Sequence, residues 1–392
     1  MVLSTLRLAL LGLVALTVSA CGSEQQNGNT TATTDKTPSF AEIRQDARGE
    51  TVRWWMYGGD DRINRYVDEE VRPAARRLGV TLERVPVSDT ADAVQRVIAE
   101  RRAGKDSGGA IDLIWINGEN FAAGKRAGLW LEDWSERLPN SRYVDFSDPS
   151  IAKDFQVPID GQEAPWSRAA LVYAADTARV RDVPQDLDAL LEWAREHRGR
   201  FTYPAPPDFT GSAFVRQVVQ AKGEDEAFAY LRELKPLQYR EGRVLPKSEA
   251  ELNRLFADGE VDFAMSYEPN FIATAVRRGQ FPRSVRPFVL SEGTLTNVSN
   301  VTIPKNAAHS AGARVVANLL LSPKLQGIKA DPKGLGIPTV LDTERLPADM
   351  RRRFSALSTS PYRLQDVGKP LPELPADEVA PLEERWKREV LR

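Results

Sequence analysis

Polar and aromatic residues follow the predicted strands at four places along the chain. Loops at the carboxyl ends of strands in an open α/β sheet meet at one edge, and ligands bind there. Carboxylates, amides and aromatic rings in such loops can hold a small ligand by charge pairing, hydrogen bonding and stacking. We therefore predict a ligand-binding site at this edge. Its candidate residues are Tyr57, Gly58, Gly59, Asp60, Asn117, Gly118, Glu119, Asn120, Asp208, Thr210, Gly211, Ser212, Tyr267, Glu268 and Asn270.

Each of these loops also has an explanation that involves no ligand. The glycines at 58 and 59 let backbone N–H groups approach a solute, but they equally suit an ordinary turn after a strand. Residues 117–120 and 208–212 precede predicted helices, the second of which begins near Ala213, and such segments often only cap a helix. Trp54 and Trp55 alternate across the first strand, so at least one of them is expected in the core. The sequence leaves these alternatives open.

The charge of the solute is also open. Tyr267 and Glu268 offer an aromatic face and a carboxylate, which suit a cation, such as a polyamine, or a flat heteroaromatic such as thiamine. The loops that precede helices and the side chain of Arg168 would instead suit an anion. Both kinds of solute remain candidates.

The composition argues against most classes of enzyme. The chain has two histidines, His197 and His309, and one cysteine, whereas zinc sites and Ser-His-Asp triads depend on these residues. We predict no enzyme activity, no metal and no cofactor. One enzyme alternative is a secreted carbohydrate-active hydrolase, with Glu119 and Glu268 as paired carboxylates about 5 to 10 Å apart. Another alternative is a lipoprotein adaptor that binds a protein instead of a solute.

Alternating strands and helices predict the α/β class of fold that positions these loops. The predicted strands cover 51–57, 80–87, 111–116, 169–174, 201–203, 261–265 and 300–303. The predicted helices cover 61–78, 187–198, 213–221, 228–234, 249–257 and 311–321, and one more helix, which residues 88–90 cap, reaches about 103. Residues 361–381 are predicted to be irregular, and a final helix at 382–391 is expected to dock through Leu382, Trp386 and Val390.

The amino terminus has the pattern of a lipoprotein signal peptide over 1–21. Arg7 precedes an apolar run that is too short to span a bilayer, and the run ends in Val-Ser-Ala-Cys at Cys21. This is the only cysteine in the chain, so we predict that it is lipidated; a buried free thiol is the alternative. Residues 22–38 have the composition of a flexible tether.

Charged residues of both signs are interspersed, with 53 Lys and Arg against 55 Asp and Glu, which argues against a nucleic-acid partner.

Seven stretches of the chain resemble extracellular solute-binding proteins of ABC importers, specifically the YnjB-type group. They are WWMYGG at 54–59, INRY at 63–66, VPVSDTADAV at 85–94, IDLIWINGENFAA at 111–123, FTYPAPPDFTG at 201–211, FAMSYEPN at 263–270 and VVANLLLSPKLQ at 315–326. Together they extend over most of the chain beyond the predicted tether. The breadth of the match carries the resemblance, because single pieces such as Gly-Gly or Ser-Pro are common.

The resemblance implies a type II periplasmic-binding-protein-like fold, with two α/β lobes that close on a solute between them. It places lobe 1 at 39–167 and 299–392, lobe 2 at 168–298, and hinge passages near 165–173 and 296–303. Trp166 and Asn297, which lie in these passages, complete the predicted site. The implied partners are a small solute and an ABC permease, and the implied location is the periplasm or cell surface. The lipid would be the only contact with the membrane.

Overall fold

Three β-sheets are present in the part of the chain that the structure, a computed structural model, describes. The described residues are 38–392, apart from 88, 332, 334, 358–360, 363 and 365–366. The predicted signal peptide, Cys21 and all but the last residue of the predicted tether lie outside them. The strands are β1 (Thr51–Tyr57), β2 (Thr81–Val87), β3 (Leu113–Ile116), β4 (Lys153–Asp154), β5 (Val157–Pro158), β6 (Glu163–Ala170), β7 (Val172–Asp176), β8 (Phe263–Ser266), β9 (Val285–Phe288), β10 (Thr294–Thr302) and β11 (Pro370–Leu371).

Helices alternate with these strands over most of the described chain. The α-helices are α1 (Phe40–Asp46), α2 (Asp61–Tyr66), α3 (Arg72–Arg77), α4 (Thr90–Arg102), α5 (Gly118–Arg126), α6 (Pro149–Ala152), α7 (Leu187–Glu196), α8 (Phe209–Lys222), α9 (Glu224–Leu234), α10 (Glu249–Ala257), α11 (Phe271–Arg277), α12 (Ser310–Leu320), α13 (Pro323–Ala330), α14 (Ala348–Ser355) and α15 (Ala376–Trp386). The predicted α/β class is therefore confirmed. Among the described residues, no helix is both long and apolar enough to cross a membrane.

The largest sheet has the strand order β11–β10–β3–β1–β2, and β6 also pairs with β10. Strand β1 runs parallel to both β2 and β3, with Trp54 opposite Leu113. It buries every second residue, including Trp54 and Met56, because side chains alternate between the two faces of a strand. Because β1 and β3 are parallel, the loops that follow them meet at the same edge of the sheet.

The chain passes from the large sheet to the three-stranded sheet along β6 and β7, next to β10. Strands β6 and β10 pair in antiparallel fashion, from Thr296 opposite Ala170 to Thr302 opposite Glu163. Leu171 separates β6 from β7, which is the middle strand of the three-stranded sheet β8–β7–β9. The backbone N–H of Leu171 donates a hydrogen bond of 2.9 Å to the carbonyl of Leu295. The two predicted hinge passages therefore lie beside each other where the chain changes sheet.

Two large clusters of buried apolar side chains accompany the two sheets. One contains Trp54 and Trp166 of the large sheet, and the other contains Tyr173 and Phe263 of the three-stranded sheet. Both clusters include helix residues that pack against their own sheet. Each sheet thus has its own hydrophobic core, which is the arrangement that a two-lobed protein requires.

The last helix packs on the core of the three-stranded sheet. Leu382, Trp386 and Val390, the residues predicted to dock it, are buried in that cluster. The indole Nε1 of Trp386 donates a hydrogen bond of 2.9 Å to the hydroxyl of Tyr203. The family resemblance instead implies that the whole of 299–392 belongs to the first lobe. A charged, partly apolar helix gives no signal of which core it will join.

Several elements differ from the sequence-based expectation, and for three of them the structure shows the physical reason. Residues 201–203 are buried but form no strand, and the carbonyl of Phe201 accepts a hydrogen bond from the N–H of Tyr239. Helix α8 begins at Phe209 and not near Ala213, because the carboxylate of Asp208 caps it by accepting from the N–H of Gly211. Helix α15 begins at Ala376, inside the stretch predicted to be irregular, and carries Pro381 in its interior.

Candidate functional site

The loop after β1 joins the two sheets through an ion pair. Asp60 caps α2 by accepting a hydrogen bond of 2.8 Å from the N–H of Arg62. The guanidinium of Arg62 also lies 2.7 Å from the carboxylate of Glu268, in the loop that follows β8 of the other sheet. Burial raises the pKa of Glu268, and the charge of Arg62 opposes this shift. Loops from two sheets are thus held together by oppositely charged side chains.

Both glycines of this loop have a packing role. A side chain at Gly58 would overlap Pro86 of the neighbouring strand, and one at Gly59 would overlap the hydroxyl of Tyr57. The N–H of Gly58 donates to the carbonyl of Val87. The backbone of Gly58 is therefore engaged within the protein, which favours the turn explanation at this residue. The absence of a side chain at Gly59 allows the Tyr57 ring to fold back over the loop.

The start of α8 is surrounded by carboxylates of the protein itself. Asp208 accepts hydrogen bonds from the N–H groups of Gly211, at 2.9 Å, and Glu249, at 3.3 Å. The hydroxyl of Thr210 donates to Glu249 at 2.6 Å, and that of Ser212 donates to Glu383 at 2.6 Å. The four predicted residues Asp208, Thr210, Gly211 and Ser212 thus lie in one hydrogen-bonded group.

A buried ion pair connects this group to the loop after β8. The guanidinium of Arg216 lies 2.7 Å from Glu373, and the two side chains are 1% and 3% exposed. Tyr267 donates its hydroxyl proton to Glu373 at 2.6 Å, and Arg216 donates to the Ser212 hydroxyl at 2.7 Å. The predicted residues Tyr267 and Ser212 therefore contact the same charged pair.

The start of α5 faces the same charges. The N–H of Gly118 donates a hydrogen bond of 2.6 Å to the buried carboxylate of Asp154, and the amide of Asn120 donates to Glu119 at 3.4 Å. Burial raises the pKa of Glu119, while the positive charge of Arg216 lowers it. Asn117 is the residue before α5, but its side chain makes no capping hydrogen bond. The loop after β3 therefore lies close to the group at the start of α8.

Aromatic rings extend from this region into the core of the large sheet. Tyr57 meets Trp115 edge to face at 6.5 Å, Trp115 meets Trp166 at 4.9 Å, and Trp166 meets Trp54 at 6.0 Å between ring centroids. Trp54 and Trp166 are fully buried, whereas Tyr57 is 45% exposed. Of the predicted site residues, Trp166 therefore lies in the hydrophobic core, whereas Tyr57 is accessible to solvent.

Several predicted site residues carry buried polar atoms that lack a protein partner. These atoms are the indole Nε1 of Trp166, the amide oxygen of Asn270 and both amide atoms of Asn297. A buried polar atom without a partner costs about 1 to 3 kcal/mol. Groups that a solute or water would satisfy therefore lie among the residues chosen from the sequence.

Arg168, Glu119 and Glu268 interact with different charged residues of the protein. Arg168 pairs with Asp148 at 2.8 Å and lines a cavity of about 290 Å³ whose other walls are Asp145, Asp148, Ile151 and residues 340–343. None of the four candidate loops lines this cavity. Glu268 pairs with Arg62, whereas the charges around Glu119 are those of Arg216, Glu373 and Glu383. The two carboxylates proposed for the hydrolase alternative thus have different charged neighbours.

Several charged residues that connect the site were not predicted from the sequence, among them Arg62, Glu249, Arg216 and Glu373. Arg62 and Glu249 occupy the first turns of helices, where a charge close to a capping residue could have indicated them. Arg216 lies within α8, and Glu373 lies in a proline-rich stretch. No local sequence pattern indicates that Arg216 and Glu373 form an ion pair, because they are 157 positions apart in the chain.

The two main sheets, each with its own core, define a two-lobed α/β fold of the type II periplasmic-binding-protein class. Residues 72–351 match the family of bacterial extracellular solute-binding proteins. The chain is also 40% identical to the protein YnjB of Escherichia coli (strain K12) over 365 residues, which is 88% of this chain and 92% of YnjB. This chain belongs to the family of bacterial extracellular solute-binding proteins, as the resemblance implied.

Solved structures show the same fold at low sequence identity. The periplasmic binding protein AfuA from Actinobacillus pleuropneumoniae, with fructose-6-phosphate bound, has a TM-score of 0.60 and 18% identity over 87% of this chain and 98% of its own. The ferric binding protein from Campylobacter jejuni has a TM-score of 0.62 and 14% identity over 86% and 98% of the two chains. These similarities show the fold alone, because solutes as different as a sugar phosphate and iron occur within it.

Proposed function

We propose that this protein captures a small solute between the loops of its two sheets and delivers it to an ABC permease in the membrane. The supporting observation is the Arg62–Glu268 ion pair, which brings together the loops that follow β1 and β8. Closing two lobes on a ligand uses such contacts between loops. The buried, unpartnered atoms of Trp166, Asn270 and Asn297 supply groups that a captured solute would satisfy.

The lobe boundaries are part of this proposal. We assign 39–167 and the strand near 299–303 to the first lobe and 168–298 to the second. The last helix is assigned to the second lobe, because Trp386 packs on that core. The hinge would then act at Leu171, where β6 passes into β7 beside Leu295.

Capture of a solute predicts both stabilisation and compaction. A solute at 100 times its dissociation constant is expected to stabilise the folded protein by about 2.7 kcal/mol, and the radius of gyration is expected to fall as the lobes close. A thermal-shift screen of amines, amino acids, sugars and oxyanions, followed by small-angle scattering with the best solute, measures both. Removing the ion pair by Glu268→Gln is expected to weaken binding by about tenfold.

The control for this screen is Glu241→Gln, which removes an exposed charge that pairs with Arg243 away from the candidate loops. This variant should bind like the unaltered protein. A solute that stabilises both proteins equally, without any compaction, would argue for surface binding and against capture between lobes.

We further propose that the protein is attached to the membrane by a lipid on Cys21 at the end of its signal peptide. The pattern that supports it is the apolar run followed by Val-Ser-Ala-Cys. Replacing Cys21 by serine is expected to abolish incorporation of labelled fatty acid and to release the protein from the membrane fraction. Equal labelling of the altered and unaltered chains would contradict the lipid anchor.

A further inference from the structure

We propose that the solute is a small organic cation, bound by the carboxylates of Asp208 and Glu249 and the aromatic rings of Tyr57 and Phe209. This inference rests on the proposed function, since it specifies the chemical class that the protein captures. Four independent features of the region lead to it.

The first feature is a pair of neighbouring carboxylates without a counter-charge. Asp208 accepts from the backbone N–H of Glu249, so the two residues touch. Among the ion pairs of the described residues, neither carboxylate has a cationic partner. Two adjacent half-buried carboxylates repel each other, and a bound cation would remove that repulsion.

The second feature is that the helix starts that would bind an anion are already occupied. Asp60 accepts from the first turn of α2, Asp154 from the N–H of Gly118 at the start of α5, and Asp208 from the first turn of α8. An anion would have to displace a carboxylate that is covalently part of the chain. Arg168 is also paired, with Asp148. The groups that would favour an anionic solute are therefore already occupied by other residues of the protein.

The third feature is that the arginines of the region are neutralised, while acceptor atoms remain. Arg62 lies between Asp60 and Glu268, and Arg216 lies against Glu373. Around the Arg62–Glu268 pair, the buried atoms of the described residues that have neither a hydrogen bond nor a charged partner are one guanidinium nitrogen and the amide oxygens of Asn64 and Asn270. Asn270 is 2% exposed and donates its backbone N–H to Glu268. The unmet demand is thus mainly for hydrogen-bond donors, which protonated amines supply.

The fourth feature is a pair of accessible aromatic rings next to the carboxylates. Tyr57 is 45% exposed and Phe209, which follows Asp208, is 39% exposed, and Phe209 already has the guanidinium of Arg216 5.3 Å from its ring centroid. Partial burial raises the pKa of Tyr57, and the negative charges of Glu249, Asp208 and Asp60 raise it further. Aromatic faces beside carboxylates attract organic cations by cation–π interaction and charge together.

The test compares solutes of matched shape and different charge on the full chain. Choline, putrescine, spermidine and thiamine are the cationic probes; dimethylbutanol is the neutral isostere of choline, and glucose, phosphate and citrate represent the other classes. We expect at least one cationic probe to raise the melting temperature of the protein. The neutral and anionic probes should leave the melting temperature unchanged. Asp208→Asn and Glu249→Gln should each weaken cation binding by about tenfold to a hundredfold.

The control variant is Asp349→Asn, which removes an exposed carboxylate from the first turn of α14 and should leave cation binding unchanged. Binding of a neutral or anionic solute while all cations are inactive would overturn the inference and leave solute capture intact. Binding of no solute from any class would count against capture itself. Equal binding of cations by Asp208→Asn, Glu249→Gln and the unaltered protein would remove these residues from the site.

The binding of a cation should also depend on pH. Burial raises the pKa of Glu249 to about 7, and the groups facing it are Asp208, Thr210, Ser266 and Tyr267, with Tyr57 across the site. Since Glu249 becomes ionised as the pH rises through this value, cation affinity should increase between about pH 6 and pH 8. Glu249→Gln should abolish most of that increase, whereas a site elsewhere would keep it.

Discussion

Replacing Glu373 by leucine is expected to lower the free energy of unfolding by about 3 to 5 kcal/mol. The substitution leaves the guanidinium of Arg216 without its carboxylate in a place where both side chains are at most 3% exposed. It also removes the acceptor for the hydroxyl of Tyr267. An unpaired charge in the interior has lost its hydration and gained nothing in return. Urea denaturation of both proteins at neutral pH measures the loss.

Two further variants separate the buried charge from other effects of this substitution. Removing both partners, with Arg216→Met and Glu373→Leu together, should recover much of the stability, because no charge is then left unpaired. Replacing Glu384 by leucine, whose exposed carboxylate pairs with Lys387, should change little. If the double variant were no more stable than Glu373→Leu alone, the loss would come from packing and not from the unpaired arginine.

Replacing Trp386 by alanine is expected to cost a similar amount, about 3 to 5 kcal/mol. The indole is fully buried in the core of the three-stranded sheet, where its ring meets Tyr203 edge to face at 6.4 Å. The substitution opens a cavity and leaves the buried Tyr203 hydroxyl without the indole N–H as its donor. Thermal or urea unfolding, followed by tyrosine and tryptophan fluorescence, measures the effect.

Trp386→Phe is the matched comparison, since it keeps most of the ring and loses only the N–H and part of the volume. We expect a loss clearly smaller than that of the alanine variant. Leu391→Ala, at a position that is 44% exposed in the same carboxyl-terminal segment, should be close to neutral. Equal stability of Trp386→Ala and the unaltered chain would mean that the last helix does not contribute to this core.

Local sequence patterns predicted the elements that local physics determines. Strand β1 and helix α10 begin and end at the predicted residues, Thr51–Tyr57 and Glu249–Ala257. Both have a regular pattern of apolar residues, and a capping Ser248 precedes α10. The predicted start of α8, near Ala213, is four residues too late. The sequence shows that Asp208 can cap a helix, but it does not show at which residue that helix begins. The family was also accessible from the sequence, and the comparisons confirm it.

Local sequence patterns could not predict the ion pairs that connect the candidate site. The pairs Arg62–Glu268 and Arg216–Glu373 join residues that are far apart in sequence, and only the packing of two sheets and a terminal segment brings them together. For the same reason, the sequence left the sign of the solute open. Whether a helix start is free or occupied by a distant carboxylate, such as Asp154 at Gly118, depends on the tertiary structure.

The position of β10 and α15 in the fold has a consequence for the order in which a newly made chain acquires its structure. Strand β10 lies between β3 and β11 in the large sheet, and the core of the other sheet extends from Leu171 to Val390. The part of the chain before β10 alone therefore lacks an interior strand of one sheet and the closing helix of the other. Closing such long loops is slow, so we expect both cores to stay susceptible to proteases during refolding until β10 has paired and α15 has docked.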